Sequence, residues 1–202
     1  MGKVLKLGVL LLVVSITMGL CAQAQPDAGA PQKAIIATTA GKINCTLFPD
    51  KAPKGVANFV GLAEGTKDWV DQKTGTRKHG VPLYDGTTFH RVIPEFMIQG
   101  GDPLGTGTGQ PVPGFAVEAV KELKFDRPGR LAYANTGQPN SNGSQFFITE
   151  GLYPPGNGLY TIFGQCEEID IVKRIARMPT RGETPVSPVK ITHITIVRGA
   201  AK

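Results

Sequence analysis

The residues best placed to do chemistry in this chain lie in one run, Phe89-His90-Arg91-Val92-Ile93-Pro94-Glu95-Phe96-Met97-Ile98-Gln99-Gly100-Gly101-Asp102. Arg91 is a permanently charged donor with a rigid planar fork. Phe96 and Met97 offer apolar surface, and Gln99 carries both an acceptor and donors. One short pair of strands would present all four together. A second dense segment follows at Asn142-Gly143-Ser144-Gln145-Phe146-Phe147-Ile148. In a strand, Gln145 and Phe147 point to one face and Phe146 to the other. A fixed cation, an amide and an apolar wall suit catalysis by electrostatic stabilisation of a bound group, with no covalent intermediate. By residue type alone, however, Phe96, Met97 and Phe147 read as core and Arg91 as a surface ion-pair partner.

Other chemistries find no support. Gly105-Thr106-Gly107-Thr108-Gly109 is glycine-rich, but Pro103 precedes it and Pro111 and Pro113 follow. A phosphate cradle needs a strand before and a helix after, so this run reads as a flexible loop. His79, His90 and His193 are too dispersed for a metal cluster, and no cysteine has a ligand partner at zinc spacing. A G-x-S-x-G nucleophile elbow is absent. Neither metal nor cofactor is expected.

The elements that must position these residues are legible in outline. Lys33–Thr39 and Lys42–Phe48 flank a turn at Ala40-Gly41, and Ile43, Cys45 and Leu47 alternate with polar residues as in a half-buried strand. Pro53 suits the first turn of a helix, Val56, Phe59, Val60 and Ala63 recur at helical spacing, and Gly65 can stop it. A second helix has Glu167 and Glu168 at its start, a stripe of Ile171, Val172, Ile175 and Met178, and Pro179 at its end. Acids early and Lys173, Arg174 and Arg177 late agree with the helix dipole. Short strands are expected at 87–93, 96–100, 130–134, 145–149, 160–165 and 189–197. The chain contains 26 Gly and 16 Pro, a share normal for turn-rich β structure and below that of disorder. Many short strands with only two helices point to a barrel, since closure removes exposed edges.

The 202 residues suffice for one domain with a real core. Lys3 and Lys6 precede an apolar run from Leu7 to Val14, and Ala22-Gln23-Ala24 supplies the small residues a signal peptidase reads. Residues 1–24 are therefore expected to be an export signal, 25–32 a flexible leader and 33–199 the domain. The apolar run is short for a bilayer span, so stable membrane insertion is not expected, and Leu20 before Cys21 argues against a lipid anchor. The formal charge of +6 loses two lysines with the signal. The remaining excess is scattered, so a nucleic-acid partner is not indicated. Cys45 and Cys166 remain in apolar-patterned segments. Buried thiols are the plainer reading, although export permits a disulfide.

Taken together, the FHR-x-x-P-x-FM-x-QGGD and NGSQFF strings resemble the active-site strands of the cyclophilins, peptidyl-prolyl cis/trans isomerases. The resemblance runs from about Ala34 to Val197. It implies a closed eight-stranded antiparallel β-barrel capped by two α-helices, acting as a monomer on X–Pro bonds of unfolded or loop-exposed exported polypeptides, in a periplasm or outside the cell. A peptide-binding chaperone with little turnover is the alternative. The amide rotation barrier is about 18–20 kcal/mol. When the bond twists, the prolyl nitrogen gains a lone pair that a fixed donor can bind, and such selective binding is what accelerates. The resemblance assigns that donor role to Arg91, the grip on the neighbouring carbonyl to Gln99, and the proline pocket to Phe96, Met97 and Phe147. Ala134-Asn135-Thr136 is similar to a segment whose backbone pairs with the peptide, Asn135 being grouped with the catalytic residues. Gln145 and Tyr160 complete the implied site. No proton is transferred, so His90 is expected to pack structurally.

Two departures stand out. The family's rim tryptophan falls at Pro155 and its neighbouring leucine at Gly156, with Leu152 and Tyr153 as replacements within reach. Extra length between Gly65 and Tyr84 reads as an exposed loop.

Overall fold

A computed structural model describes residues 1–2 and 29–199. The expected export signal from residue 3 onward and the first part of the expected leader lie outside the described residues. The chain order is β1 (Pro31–Thr38), β2 (Gly41–Leu47), α1 (Pro53–Glu64), β3 (Trp69–Asp71), β4 (Thr76–Lys78), β5 (Arg91–Ile93) and β6 (Met97–Gly100). It continues with β7 (Arg130–Tyr133), β8 (Phe146–Thr149), β9 (Ile162–Cys166), α2 (Ile169–Ala176), β10 (Thr180–Arg181), β11 (Thr184–Pro185) and β12 (Ile191–Arg198). Eight strands form one antiparallel sheet in the order β12-β1-β2-β9-β7-β8-β6-β5.

The fold is mainly β with two helices, as expected, and the sheet curls strongly. Its outer strands β5 and β12 share no ladder. They are instead stitched by a bridge between Thr88 and Lys190 and by bonds from Phe89 N–H to Val189 O (3.0 Å) and Ile191 N–H to Thr87 O (2.8 Å). An open edge is thereby blunted without full closure.

Alternation along the strands divides the interior in two. Val92, Ile98, Leu131, Tyr133, Phe146, Ile148 and Phe163 point inward to the main core with α1. There the Phe59 ring lies 5.2 Å from Tyr84, 5.5 Å from Phe146 and 5.1 Å from Phe163. Met97, Ala132, Phe147 and Ile162 point to the opposite face and form a smaller cluster with Phe125. That second face becomes the floor of the site.

The helix α1 begins at Pro53 and ends at Gly65, whose φ of 74° is left-handed. A Cβ at Gly65 would lie 2.7 Å from the backbone of Val81, so glycine is required for both reasons. The N-cap residue Ala52 offers no side-chain bond. Glu118, 63 residues away from Gly55, supplies it: its carboxylate accepts Lys54 N–H (3.0 Å) and Gly55 N–H (2.7 Å), which also suits the positive end of the helix dipole.

Two sequence expectations change. The segment read as an exposed loop contains the β3–β4 hairpin, with Trp69 only 8% exposed and its indole N–H on Val81 O (2.8 Å). Polar residues at its turn hid strands of three residues. The reading of Cys45 and Cys166 as free thiols also gives way, because they form a disulfide. They sit directly opposite on β2 and β9. The flanking bonds Glu167 N–H to Asn44 O and Phe48 N–H to Phe163 O make 45/166 a non-hydrogen-bonded pair, where side chains approach most closely. That register is invisible in a separation of 121 residues.

Candidate active site

Register brings the candidate side chains together. Arg91 lies opposite Gln99, Gln99 opposite Phe147, and Phe147 opposite Ala132. All sit on the face that carries the smaller cluster. Phe147 stacks on Phe125 at 5.7 Å and meets the Tyr160 edge at 5.3 Å. Above this floor is a cleft of about 470 Å³, walled by Arg91, Phe96, Met97, Gln99, Phe147 and Tyr160 and reached by Ala134 and Asn135. A second depression of about 320 Å³ shares Gln99, Ala134 and Asn135 and adds Thr136 and Gln145. Thr136 and Gln145 thus line the neighbouring subsite rather than the main cleft.

A chain of hydrogen bonds runs along one wall. Arg91 Nη1 donates to Gln99 Oε1 (3.2 Å), Gln99 Nε2 to Gln145 Oε1 (2.9 Å), and Gln145 Nε2 to the carbonyls of Gly107 and Gly109 (3.0 Å each). Each amide is oriented by the next, so the arginine sits at the end of a fixed relay. Arg91 Nε also pairs with Glu183. Burial pushes the Tyr160 phenol above its ordinary range, with Tyr153 beside it adding to the shift; it stays a neutral donor at neutral pH.

The glycine-rich run, expected to be flexible, is a built wall. Asp102 is fully buried and its carboxylate accepts N–H bonds from Leu104 (2.8 Å), Gly107 (2.7 Å), Thr106 (3.1 Å) and Gly109 (3.2 Å). Burial alone would raise this carboxyl, but the four donors outweigh it and hold it below the usual range. A Cβ at Gly109 would lie 1.9 Å from Asp102 Oδ1. The glycines therefore let the backbone wrap a carboxylate. The readable signal was an aspartate followed at +2 by the donor of an Asx turn.

Asn135, grouped with the catalytic residues by the resemblance, lines both the cleft and the neighbouring depression. Its Nδ2 donates to Leu159 O (3.0 Å) and its Oδ1 accepts Gly137 N–H (3.0 Å). Through these two bonds the side chain ties two loops together.

The rim is filled by Tyr153. Its ring lies 4.5 Å from Phe96, while Leu152 is 60% exposed. Gly156 makes this possible: a Cβ there would meet the Tyr153 ring at 2.5 Å. Gly156→Ala is therefore expected to expel the tyrosine and raise KM for proline peptides by about 3- to 10-fold, the size of one lost aromatic contact. Steady-state kinetics would show it, and an unchanged KM would mean that Tyr153 does not contact substrate.

The turn carrying Phe96 is strained and braced. Glu95 has φ 65°, unusual for a residue with a Cβ. Its N–H is held by the buried Glu150 carboxylate (2.9 Å), which is itself paired with Arg177 just after α2. Sequence gave no hint of this brace.

His90 packs structurally, 5% exposed, with neither ring nitrogen partnered among the described residues. Burial lowers its pKa. The unfolded chain takes up that proton near pH 6.5 and the folded chain only at lower pH, so stability is lost as pH falls through 6.5. His90→Asn should flatten the decline of Tm between about pH 6.5 and 5. An identical slope in both proteins would count against a buried neutral imidazole.

Comparison with known proteins agrees with this geometry. The cyclophilin type peptidyl-prolyl cis-trans isomerase/CLD family matches residues 33–196. Peptidyl-prolyl cis-trans isomerase A of Mycobacterium tuberculosis is 51% identical over 171 residues, spanning 83% of this chain and 93% of that protein. Peptidyl-prolyl cis-trans isomerase B of Streptomyces anulatus is 47% identical over 168 residues, 81% and 95% of the two chains. A cyclophilin-type isomerase of Cryptosporidium parvum, solved in the presence of the dipeptide Ala-Pro, superposes with TM-score 0.70 at 34% identity, covering 83% of this chain and 100% of its own. The chain belongs to the cyclophilin-type peptidyl-prolyl cis-trans isomerases.

Proposed function

We propose that the 470 Å³ cleft isomerises X–Pro bonds in exported polypeptides, with Arg91 as the donor to the twisted prolyl amide. The observation that carries this reading is the relay from Gln145 through Gln99 to Arg91 along the edge of an apolar floor. Phe96, Met97 and Phe147 hold the pyrrolidine ring, Gln99 grips the carbonyl before it, and the backbone of 134–136 pairs with the extended peptide. As the amide twists, resonance is lost and the nitrogen lone pair becomes an acceptor. An arginine already held in place stabilises that state without reorganising. No proton moves and no bond to the enzyme forms. The Ala-Pro dipeptide used with the Cryptosporidium protein is consistent with such an occupant. The chaperone alternative rested on an altered rim, and Tyr153, packed on Phe96 at that rim, supports the isomerase reading instead.

A protease-coupled assay on an X–Pro peptide tests this directly. Accelerated cis-to-trans conversion is expected, and binding without acceleration would favour the chaperone. Export is part of the proposal and is supported by the disulfide, which suits an oxidising compartment. Intact mass of the exported protein should place the N-terminus at Gln25. A mass retaining Met1, or lipid on Cys21, would overturn it.

A further inference from the structure

We infer that Glu183 is a positioning residue for the isomerisation, fixing the Arg91 guanidinium from outside the strand pair that carries it. This rests on the reading of Arg91 given above. A guanidinium on a long side chain swings about several bonds, and one anchor leaves it free to pivot about that contact. Here there are two. Nη1 is held by Gln99 (3.2 Å) within the sheet, and Nε by Glu183 Oε2 (2.5 Å). Together they define the plane of the fork. Nη2 has no partner among the described residues, and it belongs to a guanidinium that lines the cleft.

Glu183 stands in the turn of the small β10–β11 hairpin, beside Gly182 with φ 63°. The hairpin docks by its backbone, since Glu183 O accepts Val92 N–H (2.9 Å), and it is closed at its base by Val186 N–H on Pro179 O (2.9 Å). These bonds do not involve the carboxylate. The hairpin can therefore stay in place when the side chain is cut. The pair is solvated, with Arg91 41% and Glu183 53% exposed. Exposed ion pairs add little to stability, so a purely structural purpose leaves this one without a use. Orientation of the neighbouring donor gives it one.

A rival effect has the opposite sign. If Glu183 merely diluted the positive charge of Arg91, removing it would speed the reaction. Glu183→Ala is instead expected to lower kcat/KM about 5- to 30-fold, carried by kcat, with peptide affinity within about twofold and Tm unchanged. Glu183→Gln keeps an acceptor for Nε and should retain most of the rate. In an Arg91→Ala background, Glu183→Ala should change the residual rate by less than about twofold, because the group it positions is gone. The Arg91 Nε–H NMR signal should be distinct in the parent and averaged in Glu183→Ala. Activity of Glu183→Ala at or above the parent, or an equal loss in the Arg91→Ala background, would overturn the assignment. If Arg91→Ala is slow while Glu183→Ala is not, only this inference falls. If Arg91→Ala keeps full turnover, the reading of Arg91 falls with it.

Discussion

Arg91→Ala is expected to cut kcat/KM for X–Pro isomerisation by about 10- to 1,000-fold while peptide binding changes much less. A charge-assisted hydrogen bond contributes about 1.5–3 kcal/mol, which is roughly one to two decades of rate. The upper end applies if the substrate excludes water from the cleft, where the same bond strengthens. The planar ground-state nitrogen has no lone pair to offer, so the bond forms only as the amide twists, and the loss falls on kcat. Arg91→Lys should rescue only in part. A lysine has no Nε to meet Glu183 and no fork to hold its charge in a plane. Turnover of Arg91→Ala within about twofold of the parent, in a protein that remains folded, would show that the cleft works by another means.

The second large effect concerns stability. Cys45 and Cys166 are 121 residues apart, and cross-linking so long a segment restricts the unfolded chain by up to about 4–5 kcal/mol. Replacing both by Ala is expected to cost about 2–5 kcal/mol, or roughly 5–15 °C in Tm for a domain of this size. The pair lies in the main core between β2 and β9, away from the face that carries the cleft. Activity per folded molecule should therefore persist. Calorimetry of the oxidised parent against the double variant decides it, and a Tm difference under about 2 °C would mean that the bridge contributes little to folding.

What the sequence made legible was periodic or local. The alternation of Ile43, Cys45 and Leu47, the stripe of α1 and the split between Phe146 and Phe147 all reappear as buried faces. Arg91, Phe96, Met97 and Gln99 sit close in sequence and so were found together. The illegible parts depend on distant register or on a single side chain reaching across space. Glu118 caps a helix begun far upstream, Glu150 braces a turn on another strand, and Cys45 meets Cys166 only through strand pairing. Tyr153 enters the cleft because Gly156 has no side chain, a relation that no period reveals. Asp102 was overlooked because a caged carboxylate makes a glycine run rigid that composition alone calls flexible.

A strand with a different task on each face cannot change length by one. In β8, Phe146 and Ile148 pack inward while Phe147 floors the cleft. Removing a single residue ahead of them would send Phe147 into the core and a core residue into the cleft, losing fold and site together. Removing two would keep the faces but carry the floor about 7 Å along the sheet, away from Arg91. Insertions and deletions in this architecture are therefore confined to the connections. The hairpin around Trp69 is such a place: its added length lies between α1 and β5, anchors to Val81 and Pro111, and leaves the count of every strand beneath the cleft unaltered.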